Sequence, residues 1–158
     1  MIFVTLGTHQ QPFDRAVDVV CELESTEEEM LIQHGSTPAR QDIHNAEWVE
    51  YLEWEALTES MRHAEVVVTH AGVGSAVTAI RAGKKPIMVP RLARFGEHVD
   101  DHQVELAQRL AERELALVCG PGEHLGDIVG AARHSRPSVR TARRGALRAA
   151  VAAAAIDA

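Results

Sequence analysis

The stretch that decides the fold is Val66-Val-Val-Thr-His-Ala-Gly-Val-Gly-Ser75. Its three consecutive valines, Val66 to Val68, predict a strand buried on both faces, which is typical of parallel sheets. Gly72 and Gly74 then predict a turn with positive φ angles, where the backbone approaches a ligand closely. Ser75 is expected to cap the helix that follows. Strand, glycine turn and helix start together predict a phosphate site, because a helix N-terminus presents free amides and a partial positive charge.

The segment Gly83-Lys-Lys-Pro-Ile-Met-Val-Pro90 completes this unit. A helix over 75–82 is expected to end at Gly83, the usual position for a helix-ending glycine. A second strand is expected over 86–90. The result is one β–loop–α–β unit, with its glycines at the carboxyl end of a strand, where open α/β sheets bind ligands.

The same alternation of strands and helices extends over the rest of the chain and predicts a single Rossmann-like, doubly wound parallel sheet of five or six strands. The other predicted strands cover 2–6, 30–33, 48–51 and 115–118. The other predicted helices cover 13–23, 53–63, a helix starting at Glu97, 123–132 and 139–156. We expect one domain over residues 1–158, in which 137–156 is a C-terminal helix available for docking.

Composition narrows the class of protein. With 158 residues and 46% hydrophobic residues, the chain suits one globular domain. A formal charge of −7 argues against nucleic acid as a partner. Cys21 and Cys119 lack metal-type spacing and favour a reducing cytoplasm without disulfides. No secretory leader or membrane-spanning run is expected.

Three clusters suggest chemistry. Gly7-Thr8-His9 and Gly72-Val73-Gly74-Ser75 are both glycine loops at strand ends, and a diphosphate would fit between them if they face each other. His9 and His70 adjoin these loops and are candidate phosphate donors. A single glycine turn is usually only a turn, and a strand-end histidine is as often bonded to backbone. The third cluster, 97–103, is too polar for a core face, and its side chains suit sugar hydroxyls.

Metal binding finds little support. His98 and His102 have the i, i+4 spacing of ligands on one helical face, but Val99 stands where a zinc hydrolase has its glutamate. Lys84 also follows the glycine turn too late for a P-loop. No metal or cofactor is therefore expected.

Four segments in this order resemble the C-terminal, donor-binding half of GT-B glycosyltransferases of the MurG type. They are Gly7-Thr-His9 with Pro12-Phe13, Thr69 to Ser75, Ala82 to Pro90, and Glu97 to Ala107. The resemblance is strongest to stand-alone halves, namely PssE-like subunits and the small subunit of the two-chain dolichol-linked N-acetylglucosaminyltransferase. It implies the GT-B fold and UDP-sugar binding without a metal.

The resemblance also implies roles for particular residues. The diphosphate would lie against Gly7, Thr8, His9, His70, Gly72, Val73, Gly74 and Ser75; the sugar against Asp100, Asp101, His102 and Gln103; and the uracil beside Trp48, Val49 and Leu52. Thr78 stands where family members often carry the glutamate that binds the ribose hydroxyls.

The expected activity is transfer of a hexose or N-acetylhexosamine from a UDP-sugar to a lipid-linked or polysaccharide acceptor. One domain cannot supply both halves of a GT-B site, so the general base and the acceptor platform are expected on a membrane-associated partner chain. The chain itself would then be cytoplasmic and held at the inner face of the membrane by that partner. The alternative is a nucleotide-binding regulatory module without transferase activity.

Overall fold

The computed structural model describes residues 1–26, 28–40 and 42–137, together with Ala152. Its strands form one six-stranded sheet in the order β3-β2-β1-β4-β5-β6, and each neighbouring pair is parallel. The strands are β1 (Ile2–Thr5), β2 (Met30–Gln33), β3 (Ala46–Val49), β4 (Val66–Thr69), β5 (Ile87–Met88) and β6 (Leu117–Val118). The predicted doubly wound parallel sheet is confirmed.

Within residues 1–137, as far as the structure describes them, five α-helices cover the sheet: α1 (Asp14–Cys21), α2 (Trp54–His63), α3 (Val73–Arg81), α4 (His102–Glu112) and α5 (Leu125–Arg133). Short 3₁₀ turns cover Glu22–Thr26 and Ala93–Phe95. The first core cluster joins α1 and α5 to one sheet face, which carries Val4 and Val68. On the other face, α2 and α3 pack against Phe3 and Val67, and α3 and α4 pack against Met88.

The two central strands explain where a ligand would enter. β1 pairs with β2 on one side and β4 on the other, with Ile2 opposite both Met30 and Val66. All four residues of each central strand are buried, as strands covered on both faces require. The chain winds outward in opposite directions from this pair. The carboxyl ends of β1 and β4 therefore form the crevice that ligands occupy in such sheets.

Several predicted boundaries are wrong; β5 and β6, for example, are shorter than the predicted ranges 86–90 and 115–118. β3 begins at Ala46 instead of residue 48, because the Asn45 carbonyl accepts the Met30 N–H at 2.9 Å and brings the chain into register with β2. Helix α3 begins at Val73 instead of Ser75. The segment from Glu97 to Asp101 is a turn, and α4 begins only at His102. Two carboxylates of this turn, those of Glu97 and Asp101, accept hydrogen bonds from nearby loop amides and hold it in place.

The predicted C-terminal helix, 137–156, lies almost entirely outside the described residues. Among the residues that the structure does describe, no helix has both the length and the apolarity needed to cross a membrane.

Candidate functional site

The β4–α3 turn, residues 70–75, leaves the carboxyl end of β4 with backbone amides available. The first helical bond of α3 runs from the Ala76 N–H to the Gly72 carbonyl at 3.0 Å. No described residue accepts a hydrogen bond from the amides of Val73, Gly74 or Ser75. The predicted capping role of Ser75 is wrong, because Gly72 is the N-cap residue and no side chain caps this helix. The open amides retain the anion preference of a helix N-terminus.

The glycines of this turn act differently from the prediction. The positive φ, 62°, belongs to Ala71, whereas Gly72 has a φ of −72° and Gly74 lies within the helix. Gly72 is required for space: a Cβ there would lie 2.3 Å from Nε2 of His70. A Cβ on Gly74 would meet nothing within 4 Å. The turn therefore tolerates no side chain at Gly72 but is open to solvent or ligand at Gly74.

The β1 loop, residues 7–12, lies directly opposite. Gly7 has a φ of 78°, and a Cβ on it would lie 2.6 Å from the same Nε2 of His70. Thr8 is exposed and His9 is half-buried. The imidazole of His70 thus lies between the two glycine loops. The expectation that these loops face each other is confirmed.

His70 is held as a neutral ring. Its Nδ1 lies 3.3 Å from the Thr5 carbonyl oxygen, so Nδ1 donates and Nε2 carries the lone pair in the neutral form. The pKa of His70 is lowered to about 4, chiefly by burial; the hydrogen bond to Thr5 opposes the shift, and the charges of Arg91, His9 and His98 add to it. His70 can therefore donate from Nε2 to a phosphate only after gaining a proton.

His9 has the complementary arrangement. Its Nδ1 accepts the Gln11 N–H at 3.3 Å, which leaves the proton of the neutral ring on Nε2. Burial, followed by Arg91 and His98, lowers the pKa of His9. The ring centroid of His98 lies 4.9 Å away. Of the two predicted phosphate donors, His9 is the one that has a free N–H while neutral.

The polar segment 97–103 bonds mainly to the protein itself. Glu97 is only 5% exposed, and its carboxylate receives hydrogen bonds from Arg15 at 2.8 and 2.9 Å and from the Leu92 amide at 2.9 Å. Asp101 accepts the Ala93 amide at 2.9 Å. The inference that this segment is too polar for the interior is therefore wrong for Glu97, because a guanidinium satisfies the buried carboxylate.

The remaining polar groups of the segment stay close together. Asp100 accepts the His102 amide at 3.2 Å and lies 3.0 Å from Nδ1 of His98. The Gln103 side-chain oxygen accepts the Arg91 amide at 3.1 Å. Its side-chain amide N–H groups remain for a ligand. Among the described residues, no group of three or more His, Cys, Asp or Glu side chains is arranged so that it could hold a metal ion.

Arg91 was not among the residues that the sequence pointed to. This residue is 1% exposed, and its guanidinium donates to the carbonyls of Leu6, Gln11 and Glu97 at 3.1, 2.7 and 3.1 Å. Its guanidinium carbon also lies 4.5 Å from the centroid of the Phe13 ring. Arg91 thus ties the β1 loop to the β5–α4 segment. An arginine directly after a buried strand end was the only signal in the sequence.

Comparison with known proteins agrees with the fold. A family model described as the glycosyltransferase family 28 C-terminal domain matches residues 1–155. The chain belongs to this family. It is 27% identical over 148 residues to a UDP-N-acetylglucosamine transferase subunit ALG13 of Yarrowia lipolytica (strain CLIB 122 / E 150), covering 85% of this chain and 72% of the relative.

Solved structures show the same fold. A glycotransferase of kitacinnamycin superposes with a TM-score of 0.65 at 19% identity, covering 99% of this chain and 42% of that one. An NMR structure of ALG13 superposes with a TM-score of 0.54 at 20% identity, covering 90% of this chain and 84% of that one. The chain thus has the fold of a GT-B glycosyltransferase half, and spans 42% of the length of the kitacinnamycin enzyme.

Thr78 does not replace the ribose-binding glutamate that the family resemblance led us to expect. Its hydroxyl donates to the Gly74 carbonyl at 2.7 Å within α3, and the residue is 6% exposed. With its hydroxyl occupied inside the helix, Thr78 lacks both the reach and the second oxygen of a carboxylate.

The three predicted uracil-side residues are on the β3 edge of the sheet, and β2 separates this strand from β1. Trp48 pairs in register with Ile32 and packs on the α1–α5 face, while Leu52 packs with the α2–α3 cluster on the other face. Val49 is half-buried, and its carbonyl accepts the His34 amide at 2.9 Å. Trp48 and Leu52 thus lie on opposite faces of the sheet, and their uracil role stays a prediction.

Proposed function

We propose that this chain binds a UDP-sugar and is the donor-binding subunit of a two-chain glycosyltransferase of the MurG type, close to PssE-like subunits. The sugar is a hexose or N-acetylhexosamine. Because the curated relative is named a UDP-N-acetylglucosamine transferase subunit, UDP-N-acetylglucosamine is the first donor to test. The acceptor is a lipid-linked sugar or a growing polysaccharide.

One observation carries the proposal: two glycine loops flank one imidazole at the point where the sheet reverses its winding. The backbone at Gly7 and the backbone at Gly72 both lie close to the His70 ring. The adjacent α3 amides have no acceptor among the described residues. Open N–H donors at a helix N-terminus, at the carboxyl edge of such a sheet, suit phosphate groups. Family membership makes the diphosphate of a nucleotide sugar the ligand that fits best.

Binding is proposed to need no metal. The α3 amides, the His9 N–H and the positive charge of Arg91 would offset the diphosphate charge. Hydrogen bonds to charged groups contribute about 1.5–3 kcal/mol each, so three or four of them account for micromolar binding after association costs. The free amide N–H groups of Gln103, with Asp100, Asp101 and His102, are proposed to meet the sugar.

A partner chain is proposed to supply the acceptor platform and the general base. The related enzyme of kitacinnamycin is more than twice as long, whereas the relative ALG13 is named as a subunit. We propose that the partner is membrane-associated and holds this chain at the cytoplasmic face.

Residues 137–156 are the proposed docking helix. Truncation after Arg136 should preserve donor binding but abolish transfer with the partner. Unchanged transfer would exclude that role.

Calorimetry tests donor binding. UDP and UDP-N-acetylglucosamine should bind in the micromolar to millimolar range with EDTA present, and ADP and GDP more weakly. Binding that returns only with magnesium would exclude the metal-free site. The alternative, a regulatory nucleotide-binding module, predicts no preference for the sugar nucleotide. It also predicts no transfer when the chain is assayed together with the protein that co-purifies from its host.

Gln103 provides a test of the sugar subsite with a matched pair of variants. Gln103→Glu keeps an acceptor for the Arg91 amide but loses the side-chain N–H donors, whereas Gln103→Ala loses both. UDP-sugar affinity should fall in both variants by about tenfold, equivalent to one lost hydrogen bond, while UDP affinity in Gln103→Glu stays within about twofold. Equal losses for the two ligands in Gln103→Glu would contradict the assignment.

A further inference from the structure

The guanidinium of Arg91 is buried but has no carboxylate partner. Its three side-chain hydrogen bonds below 3.2 Å all go to neutral backbone carbonyls, those of Leu6, Gln11 and Glu97. No described carboxylate lies within ion-pair distance of it. A buried cation is costly unless an anion compensates it, so a missing anion must be sought near Arg91.

The carboxylate that could serve is already occupied. Both oxygens of Glu97 bond to Arg15, and one also accepts the Leu92 amide. The group formed by Arg15, Glu97 and Arg91 therefore contains two guanidinium groups and one carboxylate. It carries a net charge of about +1, since arginine stays protonated in proteins.

Arg91 acts on the two glycine loops by contact and by charge. Leu6 and Gln11, whose carbonyls it binds, stand on either side of the Gly7–His9 segment. Its charge also contributes to the lowered pKa of both His9 and His70, which border the space between the loops. The guanidinium is thus within electrostatic reach of the place where the α3 amides are open.

We propose that Arg91 is a positioning residue of the donor site: it fixes the β1 loop to the β5–α4 segment, and the donor diphosphate is the anion that compensates its charge. This rests on the function proposed above. The guanidinium lies behind the loop and acts on the ligand through the loop geometry and through its field. The presence of two guanidinium groups beside only one carboxylate is thereby explained by the ligand.

The test compares Arg91→Lys and Arg91→Met with the wild-type chain. Lysine keeps the charge but cannot bond three separate carbonyls in the fixed geometry of a guanidinium; methionine removes both properties. The probes are UDP and uridine, measured by ligand-observed NMR and calorimetry on samples shown to be folded by circular dichroism. Met61→Ala is the stability control, because Met61 is a fully buried residue in the α2–α3 cluster and belongs to neither loop.

UDP affinity should fall about tenfold in Arg91→Lys and about a hundredfold in Arg91→Met, since charge and geometry are lost in turn. Uridine affinity should change by less than about threefold, because uridine has no phosphate group that could interact with the guanidinium charge. Met61→Ala should bind both ligands as the wild type does. If Arg91→Met does not fold, Arg91→Lys alone decides the test.

The inference is overturned if a folded Arg91 variant binds UDP as the wild type does, or if UDP and uridine lose affinity by the same factor. The first result would leave Arg91 without a role at the site, and the second would make its role purely structural. Absence of UDP binding by the wild-type chain would instead reject the proposed function itself.

Discussion

The β4–α3 turn and the segment 97–103 both border the carboxyl edge of the sheet, but they use their polar groups in opposite ways. The turn has few polar side chains, yet three of its backbone amides have no acceptor among the described residues. The segment is rich in polar side chains, and those of Glu97, Asp101 and Gln103 already bond to the Leu92, Ala93 and Arg91 amides. Polarity in the sequence therefore does not locate the groups that are free to bind.

The largest effect, a loss of stability, is expected for a substitution of Glu97. Glu97→Ala should lower the free energy of unfolding by about 3–5 kcal/mol, because it leaves the half-buried Arg15 guanidinium and the buried Leu92 amide without their acceptor. Urea denaturation measures this. The matched variant is Glu105→Ala on the exposed side of α4, which should change stability by no more than about 0.5 kcal/mol. A loss below 1 kcal/mol for Glu97→Ala would show that the segment is not held by its own ion pair.

The turn should show the reverse behaviour. Gly74→Val should weaken UDP binding at least tenfold, about 1.4 kcal/mol, because the new side chain occupies the open space beside the α3 amides. Stability should change by less than about 1 kcal/mol, since a Cβ there meets no protein atom within 4 Å.

Gly126→Val is the control for this turn. Gly126 is also the second residue of a helix, α5, is exposed and has open space at its Cβ position. Calorimetry should find UDP affinity unchanged in Gly126→Val. Equal UDP affinity in the two variants would mean that the ligand does not approach the α3 N-terminus.

A further prediction concerns His70 and pH. The folded-state pKa of about 4 lies below the ordinary value of 6.5, so the neutral ring favours the folded state. This contribution is complete above pH 6.5 and is lost as the pH falls towards 4. His70→Asn, which keeps a donor for the Thr5 carbonyl, should therefore lose less stability than the wild type between pH 7 and 4.5. Identical pH profiles in thermal unfolding would show that His70 is not held neutral by the fold.

The fold could be predicted because its signals are local and repeated. Val66 to Val68 and the glycines after them specify a buried strand and a turn whatever the neighbouring elements are, and alternation with helices leaves a parallel sheet as the result. Boundaries were less predictable. The start of β3 depends on the bond between Met30 and the Asn45 carbonyl, which exists only once two strands are side by side.

The sequence predicted where the candidate site lies better than it predicted how the residues of the site interact. Gly7, His9, His70 and Gly72 were named, and the structure brings them together. The reason for the glycines was misjudged, because the contact that excludes a side chain is with His70, and the positive φ belongs to Ala71. Arg91 was missed, since its contacts are with carbonyls about 80 residues earlier in the chain.

By itself, the sequence determined the sheet, the two glycine loops and the family resemblance, because strand burial, turn chemistry and residue spacing are properties of short segments. Only the tertiary structure decided which polar groups remain available. Whether Glu97 faces a sugar or Arg15, and whether His70 offers a proton or a lone pair, depends on partners from distant segments. Burial then fixes the charge of each group, because the free energy of an ionised side chain depends on what surrounds it.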